Sequence, residues 1–302
     1  MVTFHPHPRL LLYPNDNSLR LLNTIDEKVA LIEKYGVDYV VVVPFTKVFA
    51  QQNPDNYIQN FLLQKFTPKY IVIGYDHRFG KNRAGDIEFL RRYEESANFK
   101  IVDIEKQEVE DIAVSSTKIR KALEFGDIKT ATHLLGHSYT FSGTVVKGQG
   151  IGKSLGYPTA NIEVKSKFKL IPHTGIYGVR TVVGGRAYNA LLYIGKRPTI
   201  QAYNNQTIEV HLLDFNKDIY GDKLKVELIK FIREDTEFEN LNELKKQMKK
   251  DEFEWRKVLA KNEQNEPKVN STKSASIAIV ILNYNGKKLM EKFLQKRKKQ
   301  SQ

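Results

Sequence analysis

The order of strand-like and helix-like segments changes once along this chain, near residue 139. Before that point, apolar runs of strand length alternate with stretches that carry helix-capping residues. Two of the runs, DYVVVVPF (38–45) and KYIVIGY (69–75), are continuous and typical of strands buried on both faces. A third run, FKIVDIE, spans residues 99–105. This alternation favours a parallel, doubly wound sheet, so we predict a Rossmann-like α/β domain over residues 1–136.

Helix boundaries in this first half are also indicated. Thr24 and Glu27 have the spacing of a capping box, and Gly36 favours a helix end. Asn53-Pro54 is typical of a second helix start, and SSTKIRKALEFG (115–126) predicts a short helix that stops at its glycine. The helices therefore fall between the predicted strands, as a doubly wound sheet requires.

The segments after residue 137 are short, strand-like and separated by turns. A single helix is indicated, over about 240–261. The strand-like segments are YTFSGTVVKG (139–148), GIYGVRTVVGG (175–185), AYNALLYIG (187–195), TIEVHLLDF (207–215) and KLKVELIKFI (223–232). We predict a small antiparallel β-barrel with a closing helix over residues 137–261. The fold class of the chain is therefore α/β plus all-β.

Residues 262–302 have a third character. A polar stretch typical of a linker leads to SIAIVILNYNGKKLMEKFL (276–294), which predicts a strand followed by an amphipathic helix. We expect this strand to have no sheet of its own to join. We also expect the tail to contribute nothing to an activity of the barrel.

Charge and composition exclude several classes of function. The net charge is +13, but residues 271–302 carry eight of the lysines and arginines and one glutamate, and so hold seven of those charges. A solvated basic tail explains this better than a nucleic-acid site. The longest apolar runs are of strand length, so we expect no membrane span, and the first residues do not resemble a signal peptide. The chain has no cysteine and can form no disulfide, which fits a reducing cytosol but also permits any other compartment. We expect a cytoplasmic protein.

The stretch GQGIGKSLGYPTANIE (148–163) combines glycines with Gly-Lys-Ser, as phosphate-binding loops do. It is not a Walker loop, because Lys147 stands where the first glycine is required. Gly156 and Pro158 also follow within a few residues, and proline disfavours a helix at the residue before it, whereas a Walker loop opens a helix. Thr159 and Asn161 lie two residues apart, and so on one face of a strand. Their oxygens are of the kind that Mg²⁺ accepts. A lone Thr-x-Asn is usually structural, so the residues alone leave this open.

The second half resembles the riboflavin kinase family. The resemblance rests on Pro158-Thr159-Ala160-Asn161 and continues, in order, through four further motifs. These are GIYGV (175–179), YIGKRPT (193–199), EVHLLDF (209–215) and IYGDKLKVELIKFIRED (219–235). It implies an enzyme that phosphorylates riboflavin to FMN with ATP and Mg²⁺. It also implies Thr159 and Asn161 as metal ligands and Glu209 as general base, with a phosphate-binding loop formed by Gly148, Gly150, Gly152, Lys153, Gly156 and Pro158.

The first half resembles the adenylyltransferase domain of the bifunctional riboflavin kinase/FAD synthetases. The matching stretches are TFHPHPR (3–9), GYDHRFGKNRAGD (74–86) and SSTKIR (115–120). The resemblance implies that Ser115, Ser116, Thr117 and Arg120 contact ATP phosphates. Read alone, SSTKIR is equally a helix N-cap.

One part of that family's pattern has no counterpart here. Family members open with a central strand and Gly-x-Phe-Asp-Gly-x-His-x-Gly-His, whereas Met1-Val2-Thr3-Phe4 matches a later strand. We therefore expect an incomplete, N-terminally truncated adenylyltransferase domain, with unpaired strands and little or no FAD formation. The tail resembles the start of a family-2 glycosyltransferase, but it is too short for such an activity.

These observations favour an ATP-dependent riboflavin kinase that uses riboflavin, FMN, ATP and ADP. Two alternatives stay open. One is the full bifunctional enzyme, which also makes FAD. The other is a non-catalytic flavin- or nucleotide-binding relative. The oligomeric state is not indicated by the sequence.

Overall fold

The computed structural model describes residues 1–74, 76–104, 108–109, 112–148, 150–196, 206–263 and 279–281. The chain divides into two compact units. The first contains Met1–Leu19 and Lys28–Ser116, together with the described part of Thr272–Gln302. The second contains Arg20–Glu27 and Thr117–Ser271. Among the described residues, no helix combines the length and apolar character needed to cross a lipid bilayer.

The strands and helices are numbered in chain order. The strands are β1 (Val2–His5), β2 (Val41–Pro44), β3 (Tyr70–Gly74), β4 (Lys100–Ile104), β5 (Glu108–Val109), β6 (Ile112–Ala113), β7 (Thr140–Val146), β8 (Ala160–Glu163), β9 (Gly175–Val183), β10 (Arg186–Lys196), β11 (Gln206–Leu212), β12 (Lys223–Arg233) and β13 (Ile279–Ile281). The helices are α1 (Pro8–Leu12), α2 (Ile25–Lys34), α3 (Lys47–Ala50), α4 (Pro54–Asn56), α5 (Gln64–Phe66), α6 (Ile87–Arg91), α7 (Ser116–Glu124), α8 (Ile128–Leu135), α9 (Ile151–Ser154) and α10 (Leu241–Glu263). A π-helical segment, Tyr57–Leu63, joins α4 to α5, and Lys81–Arg83 forms one 3₁₀ turn.

The first unit contains the predicted parallel sheet. Its five strands lie in the order β2-β1-β13-β3-β4, and each pair is parallel. The central residues of β3 are buried, as expected for a strand covered on both faces. The prediction of a strand buried on both faces is wrong for β2, where Val41 and Val42 are 39% and 40% exposed. This strand forms the edge of the sheet, a position where Pro44 costs no ladder hydrogen bond.

The strand of the C-terminal tail joins this sheet, which corrects two expectations. β13 pairs with β1 through Val2↔Ile281 and with β3 through Ile279↔Ile71 to Ile281↔Ile73. The tail strand therefore has a sheet to join, and β1 and β3 are not left unpaired beside each other. Local sequence pattern predicted the strand, but it carries no information on a partner so distant in the chain.

The predicted helix starts in the first half are confirmed. Thr24 and Glu27 form the capping box before α2: the Thr24 amide donates to Glu27 Oε2 at 2.9 Å, and the Glu27 amide donates to Thr24 Oγ1 at 3.3 Å. Asn53 caps α4 by accepting from the Asn56 amide at 2.7 Å. The short helix α8, capped by Asp127, was not predicted.

The second unit contains the predicted closed antiparallel barrel. Its six strands follow the order β10-β11-β8-β7-β12-β9, and β9 pairs back with β10. Burial alternates along β7 and β11, so every second side chain faces the core. The closing helix α10 places the fully buried Trp255 against the barrel. Gly178 makes room for it, because a Cβ there would lie 2.3 Å from the indole.

A buried lysine ties the segment Arg20–Glu27 to the barrel within this unit. Lys169 Nζ donates to Glu27 Oε2 at 2.7 Å and to the carbonyl oxygens of Leu22 and Thr140, each at 2.6 Å. Its side chain is fully buried. Burial lowers the pKa of Lys169 to about 8, and Glu27 opposes that shift. The other carboxylate oxygen of Glu27 accepts from the Ser142 amide at 2.9 Å, so the pair is hydrogen-bonded on both sides.

Candidate active site

The glycine-rich loop lies directly against two side chains that follow it, Thr159 just before β8 and Asn161 within β8. A Cβ on Gly148 would be 2.0 Å from Asn161 Nδ2. A Cβ on Gly152 would be 2.4 Å from the Tyr157 carbonyl oxygen and 3.2 Å from Thr159 Oγ1. These two glycines are therefore required for close approach of the loop backbone.

Two other glycines in the loop have a different role. Gly150 and Gly156 have φ angles of 74° and 86°, and a Cβ on either would meet nothing within 4 Å. They are required for backbone conformation alone. The loop forms one helical turn, α9, before Gly156, and Lys153 in this turn is exposed to solvent.

Thr159, Asn161 and Glu209 come together where β8 lies beside β11: Thr159 directly precedes β8, Asn161 lies in β8 and Glu209 lies in β11. Glu209 lies directly opposite Asn161 in the antiparallel register. The Thr159 hydroxyl donates to Glu209 Oε2 at 2.8 Å. Asn161 is buried beneath the loop. A hydroxyl, an amide oxygen and a carboxylate thus share one small region, and this all-oxygen donor set fits a hard cation such as Mg²⁺.

Two polar residues beside this group were missed as site residues by sequence reasoning. His211, two residues after Glu209, contacts the Pro158 carbonyl oxygen through Nδ1 at 2.8 Å, and its ring packs on Tyr157 with centroids 5.2 Å apart. Tyr193 lies opposite Glu209 on the other side, in β10. The two-residue spacing of Glu209 and His211 was a signal that both share one face of β11.

Tyr193 is held as a neutral hydrogen-bond donor. Its hydroxyl donates to Asp235 Oδ2 at 3.1 Å. Burial raises the pKa of Tyr193 to about 12, and the negative charges of Asp235 and Glu209 add to the shift. The phenol therefore stays protonated beside Glu209 throughout the physiological pH range.

The residues of the second predicted site, near SSTKIR, lie at the start of α7. Ser115 precedes the helix, and Ser116 and Thr117 form its first turn. The Arg120 guanidinium donates through Nε to the Arg20 carbonyl oxygen at 2.6 Å, so one of its donors is already used within the protein. The ATP contacts proposed for these four residues remain predictions.

The motif GYDHRFGKNRAGD begins at the end of β3. Gly85 makes room for the Phe79 ring, because a Cβ there would lie 2.3 Å from it. Asp86 caps α6 by accepting from the Phe89 amide at 2.8 Å, and it also pairs with Arg78. Several residues of this motif therefore have clear structural roles at the carboxyl end of the sheet.

The chain thus combines an α/β unit that contains a parallel sheet with a unit formed by a closed six-stranded barrel, and the barrel carries the oxygen-rich site. The family model described as riboflavin kinase matches residues 135–259, and the model described as FAD synthetase matches residues 1–118. The chain belongs to the bifunctional riboflavin kinase/FMN adenylyltransferase family.

Curated relatives extend over most of the chain. The bifunctional riboflavin kinase/FMN adenylyltransferase of Listeria monocytogenes is 34% identical, covering 87% of this chain and 83% of the relative. The protein of that name from Escherichia coli K12 is 35% identical over 84% of this chain and 80% of its own. A crystal structure described as a macrolide-efflux protein from Streptococcus pneumoniae superposes with a TM-score of 0.77 at 30% identity, covering 84% and 82% of the two chains. The two family models and the curated relatives support the bifunctional alternative better than a kinase alone.

Proposed function

We propose that the barrel transfers the γ-phosphoryl group of ATP to riboflavin, forming FMN and ADP in the cytoplasm. The observation that carries this proposal is the hydrogen bond from Thr159 to Glu209. Asn161 lies opposite Glu209, and the glycine loop packs against Thr159 and Asn161. Phosphoryl transfer depends mainly on positioning and charge neutralisation, which this arrangement can supply.

Each side chain has a defined part in the proposed reaction. Thr159 and Asn161 would hold Mg²⁺, which supplies charge neutralisation at the phosphates. Because the Thr159 hydroxyl donates a hydrogen bond to Glu209, its lone pairs remain directed away from the carboxylate. Glu209 has a second oxygen, Oε1, with which it can accept the proton of the ribityl hydroxyl. The hydroxyl oxygen bonds to the γ-phosphorus, the bond to the bridging oxygen breaks, and ADP leaves.

The test of this proposal is FMN formation from riboflavin and ATP, resolved by chromatography, with and without Mg²⁺. We expect a requirement for a divalent cation. Thr159→Ala should lower turnover about 10²- to 10³-fold while the fold is retained, and Thr159→Ser, which keeps the hydroxyl, should retain much more activity. Equal turnover of Thr159→Ala and the unchanged protein would remove the site from the reaction. Absence of any FMN would favour the non-catalytic alternative.

Gly148→Ala should weaken the use of Mg²⁺, because the added methyl group displaces the Asn161 side chain. We expect the Mg²⁺ concentration for half-maximal activity to rise about 10- to 100-fold, as when the support of a metal ligand is lost. Gly150→Ala is the matched control, since its methyl group meets no atom within 4 Å. It should change the Mg²⁺ requirement far less, although its positive φ adds backbone strain. A similar rise in the half-maximal Mg²⁺ concentration in both variants would show that the contact of Gly148 with Asn161 does not support metal binding.

We further propose that the first unit transfers the adenylyl group of ATP to FMN, forming FAD. Its parallel sheet, the FAD synthetase match over residues 1–118 and the relatives named for both activities favour this second function. An FMN phosphate oxygen would bond to the α-phosphorus of ATP, and pyrophosphate would leave. The same chromatographic assay, started from FMN, measures it: FAD formation supports the bifunctional enzyme, and its absence leaves the kinase alone.

A further inference from the structure

The central strand of the parallel sheet comes from the far end of the chain. The four other strands of this sheet all lie within the first 104 residues, whereas β13 begins at Ile279. It nevertheless occupies the middle position, with β1 on one side and β3 on the other. Nothing in the family resemblance assigns a role to this segment.

The residues beside β13 have the burial of inner strands. Val2 of β1 is 2% exposed, and Ile71, Val72 and Ile73 of β3 are 0–1% exposed. Without a strand between them, β1 and β3 would each present unpaired amide and carbonyl groups in a layer of apolar side chains. Unpaired backbone groups in such surroundings are costly and open the sheet to other pairing.

The position of β13 also coincides with the reversal of strand order. From β1 the chain continues outward to β2, and from β3 it continues outward to β4 in the opposite direction. Ligands of open α/β sheets bind outside the carboxyl ends of the strands, at such a reversal. Because all pairs are parallel, the carboxyl ends of β1, β13 and β3 point to one edge of the sheet. Ile281 is level with Val2 and Ile73, and β1 continues from there to His5. The crevice expected to bind nucleotide is therefore built around β13.

We propose that residues 279–281 are the structural central strand of the first unit, and that nucleotide binding and adenylyl transfer there require this tail strand. The part that concerns adenylyl transfer rests on the proposed second function. The phosphoryl transfer of the barrel does not require the strand. Residues 279–281 thus complete the sheet of the first unit as its central strand.

The test uses the full chain with Val280→Pro, because proline in a central strand removes a ladder hydrogen bond. Hydrogen exchange of peptides covering Val2–His5 and Tyr70–Gly74 is measured by mass spectrometry. We expect protection of the residues paired with β13, Val2 and Ile71–Ile73, to fall about 10²-fold. Lys273→Pro, six residues before β13 in the sequence, is the matched control and should leave protection unchanged. FMN formation should be the same in all three proteins, which shows that the barrel remains folded.

A chain that ends at Glu263 provides the second variant, and it should lose the same protection while it still forms FMN. Unchanged protection of Ile71–Ile73 in both variants would overturn the proposal, because β1 and β3 would then need no strand between them. Protection that falls on dilution of the unchanged protein would also overturn it, by assigning the strand to a second copy. If protection depends on β13 but the full chain makes no FAD, the strand assignment stands and the proposed adenylyl transfer fails.

Discussion

Glu209→Gln is expected to slow phosphoryl transfer about 10²- to 10⁴-fold, the range that a general base contributes. Glutamine keeps the length of the side chain and an oxygen that can accept the Thr159 hydroxyl, so the 2.8 Å contact in this structure can persist. It cannot take up the proton of a substrate hydroxyl. The loss should therefore appear in the rate of the chemical step and not in the binding of riboflavin.

Single-turnover formation of FMN measures the rate of the chemical step, and quenching of riboflavin fluorescence measures the binding of riboflavin. Glu163→Gln is the matched control, because Glu163 lies two residues beyond Asn161 in β8 and is exposed. It should leave both quantities unchanged. A Glu209→Gln variant with the unchanged rate would exclude Glu209 as the base, and a loss confined to riboflavin binding would assign it to substrate positioning.

The barrel, and the grouping of several residues at its candidate site, were predictable because their signals are local. Alternating burial along β7 and β11 follows from a two-residue pattern in the sequence. Thr159 and Asn161 share a motif, and their proximity to Glu209 follows from the family resemblance. The motif alone does not predict that Gly148 and Gly152 make room for neighbouring atoms. Those contacts depend on how the loop packs against Asn161 and Thr159.

The less predictable parts depend on contacts between distant segments. The apolar run in β2 resembles that of β3, yet β2 lies at the edge and is partly exposed. Sequence pattern does not distinguish an edge strand from an inner one when both are apolar. The strand of β13 was predicted, but its place between β1 and β3 was not. Strand order in a sheet is set by long-range packing, which no local pattern encodes.

Lys169 is the clearest example of a residue whose role is hidden in the sequence. Lysine is almost never fully buried unless it is paired, so Lys169, the second lysine of SKFKLIP (166–172), is expected from the sequence to be solvated. The structure instead surrounds its ammonium group with Glu27 Oε2 and two backbone carbonyl oxygens. The partners lie in Arg20–Glu27 and in β7, both distant in sequence. Only the fold brings them together.

Lys169→Met should destabilise the barrel unit by about 3–5 kcal/mol, the usual cost of removing one partner of a buried ion pair. Methionine fills similar space but leaves the Glu27 carboxylate and the carbonyl oxygens of Leu22 and Thr140 without this donor. The two units need not unfold together, so the measurement must report on the barrel alone. The chain has a single tryptophan, and Trp255 is fully buried against the barrel, so its fluorescence during denaturant unfolding is that report.

Two comparisons separate the ion pair from a general effect of losing a lysine. Lys165→Met removes an exposed lysine four residues earlier, and it should change the free energy of unfolding by less than about 0.5 kcal/mol. Adding Glu27→Gln to Lys169→Met should recover part of the lost stability, because the unpaired buried charge is then removed. If Lys169→Met unfolds at the same denaturant concentration as the unchanged protein, the buried pair does not hold Arg20–Glu27 to the barrel. If the double variant is less stable than Lys169→Met, the main cost lies in the hydrogen bonds of Glu27 and not in its charge.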